Sequence, residues 1–155
     1  MTSLPGAVLF TCHYNRVRSA MAEAVMKQHF GDRVFVDSCG LEPFEDDGPD
    51  PFVVAVMAEI GLDVSGHQPK QFDAVDADAY DLVVSLTPES QHHATELGRG
   101  HAVEIEYWAT PDPTEVTGSR DQMLEAYRAL RDSLIEKIEE RFGGAKSAVK
   151  QPRSP

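Results

Sequence analysis

The chain has 155 residues, 41% of them hydrophobic and 26% charged, with a formal net charge of -12. This length holds one domain with a core of ordinary size, and the composition excludes disordered and membrane-embedded classes. The acidic balance argues against a nucleic acid partner, which draws its affinity from Lys and Arg at phosphates, but a small anion can still bind at a local basic pocket. No apolar run approaches a membrane span, and "MTSLPGAVLF" has neither the basic start nor the small-residue cleavage site of a leader. A cytoplasmic protein with no membrane partner is expected. Two cysteines, Cys12 and Cys39, stand far apart with no CxxC, which suits a reducing compartment and a thiolate role for any special cysteine.

In chain order, "AVLFTC" (7–12) is a continuous apolar run, typical of a strand covered on both faces. "SAMAEAVMKQHF" follows as a helix with Met21, Ala22, Val25 and Met26 on one face and Gly31 just past its end. "RVFVDS" (33–38) is a second strand. "DPFVVAVMAEIG" (50–61) predicts a helix capped by Asp50, opened by Pro51, stopped at Gly61, and apolar at Val53, Val56, Met57 and Ile60. "DLVVSL" (81–86) is a buried strand, followed by a helix with Thr87 as cap, Pro88 in its first turn and Gly98 at its end. "AVEIEYW" (102–108) alternates Val103, Ile105 and Tyr107 against Glu104, Glu106 and Trp108, as an edge strand with one wet face would. A capping box "SRDQ" (119–122) opens a last helix through Met123, Tyr127, Leu130, Leu134 and Ile138 toward Phe142. Strands alternating with helices predict an α/β three-layer sandwich, a four-stranded parallel sheet with helices on both faces. One domain over 1–142 is expected, and "GGAKSAVKQPRSP" (143–155), basic and without an acid, reads as a disordered tail.

Ligands of such sheets gather at the carboxyl ends of the strands, which is where Cys12 falls. From Cys12 to Ser19 the sequence reads Cys-His-Tyr-Asn-Arg-Val-Arg-Ser, a Cys-x5-Arg-Ser arrangement between strand and helix. A tight loop here turns successive backbone N–H groups inward, and the new helix adds its positive end, which together make a phosphate-sized anion site. The same field favours the thiolate of Cys12. Arg18 offers a planar fork for two oxygens of a tetrahedral anion, and Ser19 can donate its hydroxyl to the thiolate. Cys39, at a strand end beside a turn glycine, reads as a structural core residue.

Displacement by a thiolate needs a proton for the leaving oxygen, and Asp46, Asp47, Asp50 and Asp112 are the candidate acids. Asp50-Pro51 fits a helix start. Asp112-Pro113, in the loop "ATPDPTEVTG" (109–118) after the fourth strand, returns to the end of the sheet where Cys12 lies and lacks an immediate helical pattern; Asp-Pro is also a common turn or cap pair.

The residues "VLFTCHYNRVRSAMAEA", with "DSCGL", "GPDP", "GLDVSGHQPKQF", "DLVVSLT" and the late Asp-Pro before a long helix, resemble the low-molecular-weight protein tyrosine phosphatase family, whose fold is shared with thioredoxin-coupled arsenate reductases. The resemblance spans residues 6–142. It implies a phosphatase acting on phosphate monoesters, foremost protein phosphotyrosine, through a phosphocysteine on Cys12. Arg18 and the amides of His13, Tyr14, Asn15, Arg16, Val17 and Arg18 would bind phosphate, with Ser19 stabilising the thiolate, Asn15 holding the loop in shape and Asp112 serving as general acid. The expected partners are a phosphoprotein or small phosphate ester and an oxyanion such as inorganic phosphate, with no metal or organic cofactor.

Three departures from the family pattern stand out. Tyr14 occupies a position often held by glycine, which predicts either strain or altered loop geometry there. Val17 stands where many members have a second loop cysteine, and Thr114 and Glu115 where many have aromatic residues flanking the substrate ring. Phe44 can supply an aromatic wall or anchor the core. The region "SLTPESQHHATEL" holds no resolving cysteine, so the rival readings are an arsenate reductase using an external thiol and a non-catalytic phospho-ligand-binding protein. Among the histidines, His13 is expected at the pocket mouth, His67 to order a turn, and adjacent His92 and His93 to make a poor metal pair.

Overall fold

The computed structural model describes residues 4–46 and 48–143; of the expected tail, 143–155, it describes only Gly143, which is buried at the end of the last helix and not part of a disordered segment, and residues 144–155 and the candidate acid Asp47 lie outside the described residues. Four parallel strands, β1 (Ala7–Cys12), β2 (Phe35–Gly40), β3 (Leu82–Ser85) and β4 (Glu104–Tyr107), form one sheet in the order β2-β1-β3-β4. The helices are α1 (Arg18–Phe30), α2 (Pro51–Ala58), α3 (Pro88–Leu97) and α4 (Arg120–Ile138), the last running on into a wider turn over Glu139–Gly143. The expected α/β sandwich with helices on both faces is the observed one. No helix among the described residues is long and apolar enough to cross a membrane.

Every residue of β1 is buried because both sides of the strand are covered. Val8, Phe10 and Cys12 point into a large core closed by α1, α2 and α4, whereas Ala7 and Leu9 point into a smaller one closed by α3 and the turn at Phe72–Ala74. In the larger core Met21 and Met26 of α1 meet Leu130 and Leu134 of α4, all with essentially no exposure, and each such side chain contributes about 1.5–3 kcal/mol by leaving water. The chain leaves β1 toward β2 on one side and then returns to β3 on the other. That reversal opens a crevice at the carboxyl end of β1, the place where open α/β sheets bind ligands.

Three helix starts match their sequence signals. Asp50 Oδ1 accepts from the Phe52 and Val53 amides at 2.8 and 3.3 Å, with Pro51 in the first turn. Thr87 Oγ1 accepts from the Ser90 amide at 3.1 Å, and Ser119 and Gln122 form a reciprocal capping box. Such caps contribute about 1 kcal/mol each.

Some expectations needed correcting. Arg33 and Val34 belong to the turn that closes α1, both amides bonding to the Phe30 carbonyl, and β2 instead runs to Gly40 because its pairing with β1 continues to Cys12. α2 ends at Ala58, and Ile60, expected on its apolar face, is 41% exposed. β4 is an edge strand as predicted, but Trp108 is not on a wet face: it packs against Phe10, with ring centroids 5.9 Å apart, and extends the larger core.

Candidate active site

The loop from Cys12 to Arg18 closes around the amino end of α1. Three carbonyls along it are drawn outward: His13 O accepts from the Leu41 and Glu42 amides at 2.7 and 3.0 Å, Cys12 O from the Leu41 amide at 3.2 Å, and Asn15 O from His67 Nε2 at 2.7 Å. In a trans peptide the N–H points opposite to the C=O, so the amides of His13, Tyr14 and Arg16 face the inside of the loop. Val17, at the start of α1, provides no side-chain cap, which leaves the first helical amides for the same interior.

Asn15 fixes this shape. It has φ 61°, and it is the non-glycine residue with positive φ among the described residues; a short polar side chain tolerates that conformation best. Of the two expectations at Tyr14, strain or altered geometry, neither needs a positive φ there: the left-handed residue of the loop is Asn15, one position later. Fully buried Asn15 accepts at Oδ1 from the Lys70 amide at 3.0 Å, and because that amide can only donate, Nδ2 faces the other way and donates to Ser19 Oγ and Ser38 Oγ, each at 2.8 Å. Ser38 Oγ donates to Glu23 Oε1, and Glu23 is paired with Lys27. Ser19 Oγ accepts from Asn15 and shares a hydrogen bond with Cys12 Sγ, 3.0 Å away, in which its hydroxyl is the donor once Cys12 is a thiolate.

The two arginines of the loop have different tasks. Arg18 donates from Nη1 to Thr110 O at 3.1 Å and holds Nη2 3.8 Å from Asp112 Oδ2, so its fork lies between the phosphate loop and the Asp112 segment. Arg16 is 8% exposed and turns sideways: Nε donates to Gly48 O at 3.1 Å, Nη2 to Pro49 O at 3.4 Å, and the guanidinium lies 4.2 Å from the ring centre of Phe44. Only its backbone amide serves the loop interior.

Of the candidate acids, Asp50 is taken up by the α2 cap and by the Tyr127 hydroxyl at 3.3 Å. Burial and the neighbouring Asp50 charge push the Tyr127 phenol up, which keeps it a donor. Asp46 is exposed and bonds the Gly48 amide. Asp112 both caps and faces the pocket, contrary to the expectation that it stands free of helical structure: Oδ1 accepts from the Thr114 amide and hydroxyl at 3.0 and 2.6 Å, opening a short turn at Pro113–Glu115, while Oδ2 looks toward Arg18.

Cys12, Arg18 and Asp112 line one open pocket of about 870 Å³. It is also lined by His13, Tyr14 and Phe44, by Thr114, Glu115 and Val116, and by the aromatic pair Phe52 and Tyr127. Phe44 is a wall of this pocket and not a core anchor: it is 38% exposed and meets Tyr14 edge to face at 5.1 Å. Ser38, Lys70, Gly40 and Thr110 were not singled out from the sequence. Lys70 and Thr110 act through backbone atoms, which leave no side-chain signal. A Cβ on Gly40 would stand 2.7–2.8 Å from backbone atoms of His13, Tyr14 and Asn15, so only glycine lets the loop rest against the end of β2.

Residues 7–151 match the family model of the low molecular weight phosphotyrosine protein phosphatases. A glutaredoxin arsenate reductase of Synechocystis sp. is 33% identical over 132 residues, covering 85% of this chain and 92% of that protein. Among solved structures, an arsenate reductase in the phosphate binding state superposes with TM-score 0.72 at 32% identity, over 87% of this chain and 95% of the other. The Erwinia amylovora tyrosine phosphatase AmsI shares the fold, with TM-score 0.71 at 18% identity over 90% of this chain and 94% of that one.

Proposed function

The chain belongs to the low molecular weight phosphotyrosine protein phosphatase family, a class of cysteine-based enzymes, and we propose that it hydrolyses phosphate monoesters, foremost protein phosphotyrosine. Cys12 Sγ attacks phosphorus as a thiolate, the S–P bond forms and the P–O bond to the leaving group breaks. Asp112 gives its proton to the departing oxygen. The loop amides and the Arg18 fork follow the equatorial oxygens as negative charge spreads over them. Asp112, now a carboxylate, takes a proton from water, which attacks phosphorus; the S–P bond breaks, and the Ser19 hydroxyl stabilises the leaving thiolate. His13, Tyr14, Asn15, Arg16 and Val17 contribute to substrate binding through the loop they form. A reaction that depends on a free thiolate suits a reducing compartment, the cytoplasm.

The observation that carries this reading is the acid: Asp112 Oδ2 stands 3.8 Å from Arg18 Nη2 at the mouth of the pocket that holds Cys12. A general acid is needed to expel an alkoxide or phenoxide. Arsenate reduction by an external low-molecular-weight thiol is the second reading, favoured by the 33% identity to a glutaredoxin arsenate reductase. An internal disulfide relay has no support in the geometry, because the two cysteines of the chain point into opposite cores.

The test is para-nitrophenyl phosphate turnover beside arsenite release in the presence of glutathione and glutaredoxin. Ester hydrolysis lost in Cys12→Ser is expected, and in Asp112→Ala a loss of about 10²–10⁴-fold on an ester with a poor leaving group such as phenyl phosphate. Arsenite release faster than ester hydrolysis would overturn the phosphatase reading, and phosphate binding without either turnover would favour a binding module.

A further inference from the structure

Arg16 is unusual in its position. It belongs to the loop that cradles the anion, yet its guanidinium leaves that loop and grips the segment after β2 at three points, the carbonyls of Gly48 and Pro49 and the face of Phe44. A weaker fourth contact reaches Asp50 Oδ2 at 4.0 Å, which ties the same group to the start of α2. Phe44 is thereby stacked on Arg16 on one side and met edge-on by Tyr14, which in turn meets His13 at 4.4 Å. Tyr14 and Phe44 are both 38% exposed and both line the mouth above Cys12.

The residues that follow Asp112-Pro113 and line the same pocket, Thr114, Glu115 and Val116, offer no ring. Of the carbon rings that line the pocket, Tyr127 is buried and Phe52 half-buried against it, so the exposed π-faces are those of Tyr14 and Phe44, on the side that Arg16 holds. Phe44 lies in a stretch, Leu41–Asp46, with no helix or strand and with exposed side chains from Glu42 onward, so little but these contacts fixes its ring. A guanidinium that is buried and hydrogen-bonded to two carbonyls is a rigid support for it, and a buried cation–π contact is stronger than an exposed one.

We propose that Arg16 is a positioning residue that locks Phe44 against Tyr14, so that the phosphate loop itself builds the wall that selects aryl over alkyl phosphates. The proposal rests on the phosphatase reading for its catalytic arm and on ligand binding alone for its second arm. It places substrate selection within Cys-x5-Arg, on Tyr14 and Arg16, in place of aromatic residues following Asp112-Pro113.

The experiment compares phenyl phosphate with ethyl phosphate for kcat/KM, and benzylphosphonate with ethylphosphonate for Kd by calorimetry, in the wild type, Arg16→Lys, Phe44→Leu and the double variant. Arg16→Lys keeps the charge but loses the fork and the stacking plane. Each single variant is expected to lower the aryl-to-alkyl ratio about 10-fold, and the double variant no further, because both act through one stack. A general loosening of the fold would lower both members of each pair together, and melting curves on every variant record it separately. Phe44→Leu, a change in an exposed segment, keeps the test decisive where Arg16→Lys unfolds. Equal losses on aryl and alkyl ligands, or additive losses in the double variant, overturn the proposal. If the wild type hydrolyses neither ester, the phosphatase reading fails, and the phosphonate affinities alone decide the role of Arg16: a benzyl preference lost in the variants supports it, and the absence of any preference overturns it.

Discussion

The carboxyl ends of β1 and β2 lie side by side, and each carries a cysteine with almost no exposure, Cys12 at 4% and Cys39 at 0%. They differ in the face they take. Cys39 is paired in register with Thr11 and points into the smaller core beside Leu9, Phe72 and Tyr80, while Cys12 is paired with Gly40 and points to the face on which α1 begins. Burial pushes the Cys39 thiol up, and the nearby Cys12 adds to the effect. Cys12 has the Ser19 hydroxyl, inward amides and Arg18 within the same loop. Burial alone therefore does not set the two cysteines apart; the polar groups on each one's side of the sheet do.

The largest test of that contrast is a pair of substitutions. Cys12→Ser is expected to lower ester turnover by on the order of 10⁴–10⁶-fold with an unchanged melting temperature. Cys39→Ser reverses the pattern: turnover persists, and stability falls by about 1–3 kcal/mol in urea unfolding, the cost of a hydroxyl in an apolar core. Equal losses of activity in both would break the distinction.

A smaller effect is expected where the two strand ends touch. Gly40→Ala forces a methyl group against backbone of the phosphate loop, so it should cost about 1–3 kcal/mol and weaken inorganic phosphate binding in the same protein. Unchanged phosphate affinity would mean that the loop does not depend on β2 for its shape.

The smallest effect serves as a control remote from both cysteines. Glu59, after α2, bonds Arg128 and Arg131 of α4, and those bonds hold its carboxyl at about 2, below the ordinary 4.5. A lowered folded value stabilises above pH 4.5, and the contribution fades as pH falls toward 2. Glu59→Gln should lower the melting temperature slightly at pH 7, and the difference from wild type should vanish near pH 2. Glu59 itself is exposed, so screening keeps the effect small, and turnover should not change.

Much of the fold was legible because its signals are local. Asp50, Thr87 and Ser119 cap helices through bonds to amides two or three residues on, and the apolar run 7–12 needed only its own residues to read as a doubly covered strand. The Cys-x5-Arg-Ser loop was legible for the same reason, since Cys12, Ser19 and the start of α1 lie within eight positions. Where the reading failed, a distant partner decided: pairing with β1 carried β2 to Gly40, and Phe10 drew Trp108 from the expected wet face into the core.

The sequence by itself determined the order of strands and helices, the caps, and a Cys-x5-Arg-Ser loop at a strand end, because backbone hydrogen bonding and hydrophobic periodicity act over a few residues. Only the tertiary structure decided which way each loop side chain turns. Arg16 and Arg18 are two positions apart and chemically identical, yet one braces Phe44 and the other faces Asp112. Their partners come from segments 28 and 94 residues away in the chain, as the numbering of Phe44 less Arg16 and Asp112 less Arg18 gives, and only packing of the sheet brings those segments to the loop.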